Sequence, residues 1–160
     1  MKIEYRPIGI IHSPFSSLEG MPIQPSGAAG IRGSVEIYPE FADGLEDLEG
    51  FSHIILLYHF HRCTGFKLKI IPFLDKLERG LFATRAPRRP NPIGLSIVKL
   101  LGIEGAALTI ENVDVLSGTP LLDLKPYVPA FDEQQQVQTG WLEKSAGSVK
   151  ERTSDRRFHS

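Results

Sequence analysis

Glycine and proline interrupt this chain so regularly that the apolar segments between them are too short for long helices: 15 glycines and 12 prolines are spread over 160 residues. The intervening segments are rich in Ile, Val, Leu, Phe and Tyr, residues that suit a pleated, half-buried surface. The spacing predicts strands at 5–11, 31–37, 53–61, 80–84, 95–103, 107–113 and 120–127. Two stretches read as helical: 40–49, where Phe41, Leu45 and Leu48 recur at helical spacing, and 72–79. Many short strands leave edges that invite pairing with other chains, and closing the sheet removes them. The expected fold is therefore mainly β, a small closed or partly open β-barrel with one or two short helices inserted. No alternation of strand and helix appears, which argues against a dinucleotide-binding domain. The glycine-rich segment 27–33 has neither the dinucleotide spacing nor the P-loop spacing, so it reads as a turn entering a strand.

A chain of this length buries roughly 70% of the surface its unfolded form exposes and needs no covalent staple. The single Cys63 excludes an intramolecular disulfide, no signal-peptide pattern opens the chain, and the longest apolar stretch, 54–58, is far too short to cross a membrane as a helix. Cytoplasmic localisation without a membrane partner is the expectation. Residues 1–142 read as the barrel domain and 143–160 as a polar C-terminal tail that lacks apolar residues to repay ordering.

A formal net charge of -1 argues against a surface built throughout to attract nucleic acid. Any such contact must be local, and Arg79, Arg85, Arg88 and Arg89 supply one, in an eleven-residue window without an acid. Pro87, Pro90 and Pro92 make the loop around them stiff and extended, so Arg85, Arg88 and Arg89 can present guanidinium forks to carboxylate or phosphate at low ordering cost. The plain alternative is a solvated loop that ties two strands together.

Along 53–61, alternation places Ile54, Leu56, Tyr58 and Phe60 on one face and Ile55, Leu57, His59 and His61 on the other. His59, His61 and Cys63 then mimic a soft metal site, but no second paired module supplies further ligands, so no metal is expected and the histidines read as rim hydrogen-bonding groups. Further on, 117–120 reads as a turn and 121–125 as a strand, with Asp123 and Lys125 on the same face as Leu121. An exposed ion pair is the plain reading of Asp123 and Lys125. The functional one is a carboxylate held beside backbone groups that Pro126 keeps out of the ladder.

Four blocks carry a resemblance: PIGIIHSPF at 7–15, LEGFSH at 48–53 leading into His59 and His61, FATRAPRRPNPIGLS at 82–96, and DVLSGTPLLDLKPYVP at 114–129. Together they resemble the TsaA/TrmO-like methyltransferases over about residues 5–132. The resemblance implies a seven-stranded or similar β-barrel, a homodimer, and S-adenosylmethionine bound near the subunit interface. It also implies methylation of N6 in N6-threonylcarbamoyladenosine at position 37 of the tRNA anticodon loop. Carried onto this chain, the cofactor-binding residues are Pro22, Ile23, Gln24, His61, Arg62, Arg85, Leu95, Asp123, Leu124, Lys125 and Pro126. In that reading Asp123 accepts from the cofactor's ammonium or ribose hydroxyls, Gln24 pairs with an adenine edge and Arg85 forks onto the methionine carboxylate. Arg88 and Arg89 are the RNA-binding candidates, directed at phosphates. The carbonyl beside N6 acidifies it, so a modest base suffices, with Asp123, His61 and Tyr127 as candidates. The competing reading is a non-catalytic regulatory module that binds S-adenosylmethionine or RNA without turnover.

Overall fold

Strand alternation decides what the sheet encloses. The computed structural model describes residues 1–22 and 25–143. Its eight strands are β1 (Gly9–His12), β2 (Arg32–Ile37), β3 (His53–His59), β4 (Lys69–Ile70), β5 (Arg79–Gly80), β6 (Ile93–Glu104), β7 (Ala107–Glu111) and β8 (Thr119–Pro126). Ile54, Leu56 and Tyr58 of β3 and Gly94, Ser96, Val98 and Leu100 of β6 turn inward and are buried, while the residues between them are partly or fully exposed. Ile11, Val35, Leu108, Ile110 and Leu121 complete a fully buried core, each large side chain contributing about 1.5–3 kcal/mol.

Six antiparallel strands close the barrel in the order β1-β2-β7-β6-β3-β8, and β4 pairs with β5 in a separate two-stranded sheet. Six strands fit the expected seven-stranded or similar barrel, with one difference: segment 80–84 is not a barrel strand. It forms a 3-10 turn at Leu81–Ala83, closed where the Thr84 backbone N–H and Oγ1 both donate to the Leu81 carbonyl. The helical expectation for 40–49 becomes two 3-10 turns, Pro39–Leu45 and Leu48–Gly50, with Asp47 at φ 67° between them. They still deliver Phe41, Leu45 and Leu48 to one end of the core. The helix expected at 72–79 is absent: the Asp75 carboxylate accepts from the Lys76 and Leu77 backbone N–H groups and from Arg79 Nε, satisfying locally the donors a helix would have used. The α-helix α1 spans Pro129–Asp132.

A bulge corrects the facing of β8. Leu57 lies opposite Asp123 but Tyr58 lies opposite Leu121, so Leu122 is the extra residue. Leu121 is therefore sealed inside while Asp123 and Lys125 pair outside at 2.8 Å, on different faces of the strand.

Residues 60–92, between β3 and β6, fold outside the barrel as a lobe with its own small core of Leu81, Ala86, Ile70 and Phe73. Its return into the barrel is constrained at Gly94, where a Cβ would meet the Tyr58 ring at 2.3 Å and Phe60 at 2.8 Å. Gly94→Ala is expected to lower stability by about 1–3 kcal/mol through overpacking, read as a shift of the urea midpoint; an unshifted midpoint would show that the ring has room to move.

Candidate functional site

At the C-terminal end of β3, the sequence blocks 7–15, 59–63, 82–96 and 114–119 come together over one mouth of the barrel. A chain of polar groups runs into this mouth from the core. Ser96 Oγ, 1% exposed, donates to Asp114 Oδ1 at 2.7 Å and lies 2.9 Å from the Tyr58 hydroxyl. Ser96 has one proton and gives it to Asp114, so Tyr58 donates to Ser96. Burial pushes the Tyr58 hydroxyl well above its ordinary range and the Asp114 carboxyl up to about 6, the latter opposed by its bond from Ser96 and by the Arg85 guanidinium. Arg85 is exposed, and its charge acts on both Asp114 and Tyr58. None of Tyr58, Ser96 and Asp114 was singled out from sequence. The available signal was a serine at an inward position of an otherwise apolar strand.

The outer wall beside this mouth carries several of the expected cofactor residues. Asp123 of β8 and Leu95 of β6 both lie opposite Leu57 of β3, which puts them on one row about 10 Å apart. Lys125 and Ile97 flank Ile55 in the next row. Leu95 is 48% exposed and the Asp123–Lys125 pair is open to solvent. The bond that Lys125 donates to the Asp123 carboxylate raises the Lys125 pKa. Leu124 packs against the core and Pro126 is exposed opposite Ile54. His61 and Arg62 follow the end of β3 at the mouth, with His61 partly buried and Arg62 exposed. Desolvation, then the nearby Arg62 and His59, lower the His61 pKa, so its imidazole is neutral at pH 7 and able to accept a proton. Pro22 is partly buried, and Ile23 and Gln24 lie outside the described residues.

Tyr127 is at the other end of the wall. Its backbone N–H donates to the His53 carbonyl and its ring meets the His53 ring edge-on at 6.4 Å. His59 lies six residue steps along the strand from His53, or roughly 20 Å, whereas reacting atoms must come within about 3.5 Å. Within one chain, Tyr127 and His61 therefore lie too far apart to serve the same reaction centre. The open grooves at this far end, lined by Asp43 and Glu46 and by Glu40 and Phe41, touch the expected set only at Asp123 and Leu124.

The arginine loop is folded back on itself rather than extended. Arg89 Nη1 donates to the carbonyls of Thr84 at 2.9 Å and Ala86 at 3.2 Å. Arg88 has Nε and Nη2 buried without a hydrogen-bond partner among the described residues, and its charge acts on buried Cys63. No group of three or more His, Cys, Asp or Glu side chains among the described residues is placed to hold a metal, and no described helix is long and apolar enough to cross a membrane.

Sequence and structure comparisons agree on kinship. The tRNA-methyltransferase O N-terminal domain profile matches residues 10–133. The chain belongs to the TrmO family. A Pyrococcus abyssi protein described as a probable S-adenosyl-L-methionine-binding protein is 54% identical over 160 residues, covering 100% of this chain and 87% of that one. The human tRNA (adenine(37)-N6)-methyltransferase is 38% identical over 138 residues, which is 82% of this chain but 31% of the human protein. The crystal structure of TrmO from Pseudomonas aeruginosa superposes with a TM-score of 0.74 at 40% identity, covering 88% of this chain and 63% of that one.

The raised Asp114 pKa fixes the sign of a stability effect. A carboxyl whose folded pKa is raised favours folding while protonated, so its stabilisation is complete below about 3.8 and lost as pH rises through about 6. Asp114→Asn is permanently neutral. Between pH 4 and 7 its stability relative to wild type should improve by up to about 3 kcal/mol, measured by urea unfolding; parallel pH profiles would show that Asp114 titrates normally.

Proposed function

We propose that this protein is an S-adenosylmethionine-dependent methyltransferase that acts on N6 of N6-threonylcarbamoyladenosine at position 37 in the tRNA anticodon loop. The observation that carries this reading is the shared row of Leu95 and Asp123 opposite Leu57 in a TrmO-family barrel, two residues before the end of the strand that His61 follows. The human relative named as a tRNA (adenine(37)-N6)-methyltransferase supports the acceptor, and the Pyrococcus relative supports the cofactor.

The donor set suits this cofactor: a guanidinium for its carboxylate, a carboxylate for its ammonium or ribose hydroxyls, and exposed Leu95 beside Leu57 for an apolar ring face. When bound, the sulfonium supplies the methyl group. The chain's own residues align and exclude. Asp123 is pre-oriented by Lys125, and Arg85 projects where Asp114 holds compensating negative charge. His61, neutral at pH 7, is the base best placed to take the N6 proton, with Asp123 the alternative on the same wall and Tyr127 displaced to the other end.

Arg88 and Arg89 supply local positive charge to RNA phosphates from the arginine loop, where Arg89 is held by the Thr84 and Ala86 carbonyls. The chain acts as a homodimer in the cytoplasm. Support for pairing is the outer wall itself: Ile93, Leu95, Ile97 and Leu101 are each at least 36% exposed beside Ile55 and Leu57, and a second copy would cover them together with the cofactor residues.

The test is methyl transfer from labelled S-adenosylmethionine to tRNA that already carries threonylcarbamoyladenosine, with nucleosides identified by mass spectrometry. Methylated threonylcarbamoyladenosine is expected with wild type, at least 100-fold less with Arg85→Ala because a charge-assisted pair is lost, and none from unmodified tRNA. Cofactor binding without transfer would favour the non-catalytic module.

A further inference from the structure

The lobe between β3 and β6 has features that methyl transfer itself does not require. Residues 67–89 carry seven Lys and Arg against two acids, in a chain whose net charge is -1. The same lobe exposes large apolar side chains, above all Phe82 at 73%. Phe82 sits on the Leu81–Ala83 turn, and the Arg89 guanidinium lies 5.8 Å from its ring centroid. A second aromatic side chain joins the same turn from far along the chain: Trp141 Nε1 donates to the Ala83 carbonyl at 2.8 Å. Arg79 lies 5.7 Å from the Trp141 ring centroid.

Both arginines are anchored before any ligand arrives. Arg79 Nε is held by the Asp75 carboxylate at 2.5 Å, and Arg89 Nη1 by the carbonyls of Thr84 and Ala86. Two rings flanking one short turn, each with a fixed cation near its face, form a rigid surface with little entropy left to lose on binding. Exposed aromatic rings interleaved with arginine suit unpaired nucleobases, which stack on the rings while the cations meet the phosphates. An acidic protein partner would match the charge but would not use the flat faces.

We infer that Phe82 and Trp141, with Arg89 and Arg79, form a stacking platform for unpaired bases of the RNA substrate, beside the mouth where methyl transfer takes place. This rests on the tRNA reading above and adds the residues that grip the loop outside the reacting base. Phe82 is exposed and its removal leaves the lobe's core of Leu81, Ala86, Ile70 and Phe73 intact, so the variants fold.

The experiment measures binding of the full chain to its tRNA across a salt series, and to S-adenosylmethionine separately, for wild type, Phe82→Ala, Phe82→Leu and Phe82→Trp. Phe82→Ala and Phe82→Leu should each weaken tRNA binding roughly 5- to 150-fold, the range a single stacking ring supplies. The salt slope should stay unchanged, because no cation is removed. Phe82→Trp should bind within about threefold of wild type, since it keeps a flat ring, and cofactor affinity should be the same in all four. If Phe82→Leu binds tRNA as well as wild type, the contact is not stacking and the platform is wrong although the tRNA reading survives. If wild type binds no tRNA under any salt condition, the tRNA reading fails and the platform with it.

Discussion

Pairing of β3 on both sides is the constraint from which the rest follows. Seven of its residues pair with β6 and five with β8, so it closes the barrel and fixes the height of every side chain on the two flanking strands. Its inward residues build the core, and its outward residues set Asp123 and Leu95 on one row. Where β3 ends, Tyr58 turns its hydroxyl to Ser96 and its ring against Gly94, and the chain leaves the barrel at His61. A slip of one residue in this register would move the core face outward and scatter the site. The same pairing separates the two ends of the wall by a distance no transferring methyl can span, which is why His61 and Tyr127 of one chain belong to different places.

The mouth of the barrel and the lobe beside it divide the work. Charged groups at the mouth and on its outer wall have partners: buried Ser96 donates to Asp114, exposed Lys125 donates to Asp123, and the Arg85 charge acts on Asp114. In the lobe the arginine loop is pinned by its own carbonyls, which accept from Arg89. Rigid placement around a mobile substrate is the economical way to run a transfer whose reactive group arrives with the cofactor.

Strand period was legible in the sequence because one face of each strand is buried, so β2, β3, β6, β7 and β8 fell close to where Ile, Val and Leu alternate with polar residues. The stretch 72–79 and segment 80–84 were not, because local side-chain bonds of Asp75 and Thr84 redirect the backbone in ways that periodicity does not record. The facing of Asp123 was lost for a different reason. A bulge at Leu122 shifts parity by one residue, and only pairing with β3 reveals it. Arg85, His61 and Leu95 are candidates only through the blocks that carry the family resemblance, whereas the Tyr58–Ser96–Asp114 chain was hidden because its members come from three distant segments.

The most direct measurement is a crystal structure of the chain with S-adenosylhomocysteine. The expected result is density for the ligand beside Arg85, Leu95 and Asp123 on the outer wall at the Tyr58 end of β3. Ligand seated instead in the groove of Glu40, Phe41 and Leu45, or within the barrel, would contradict the assignment of the site.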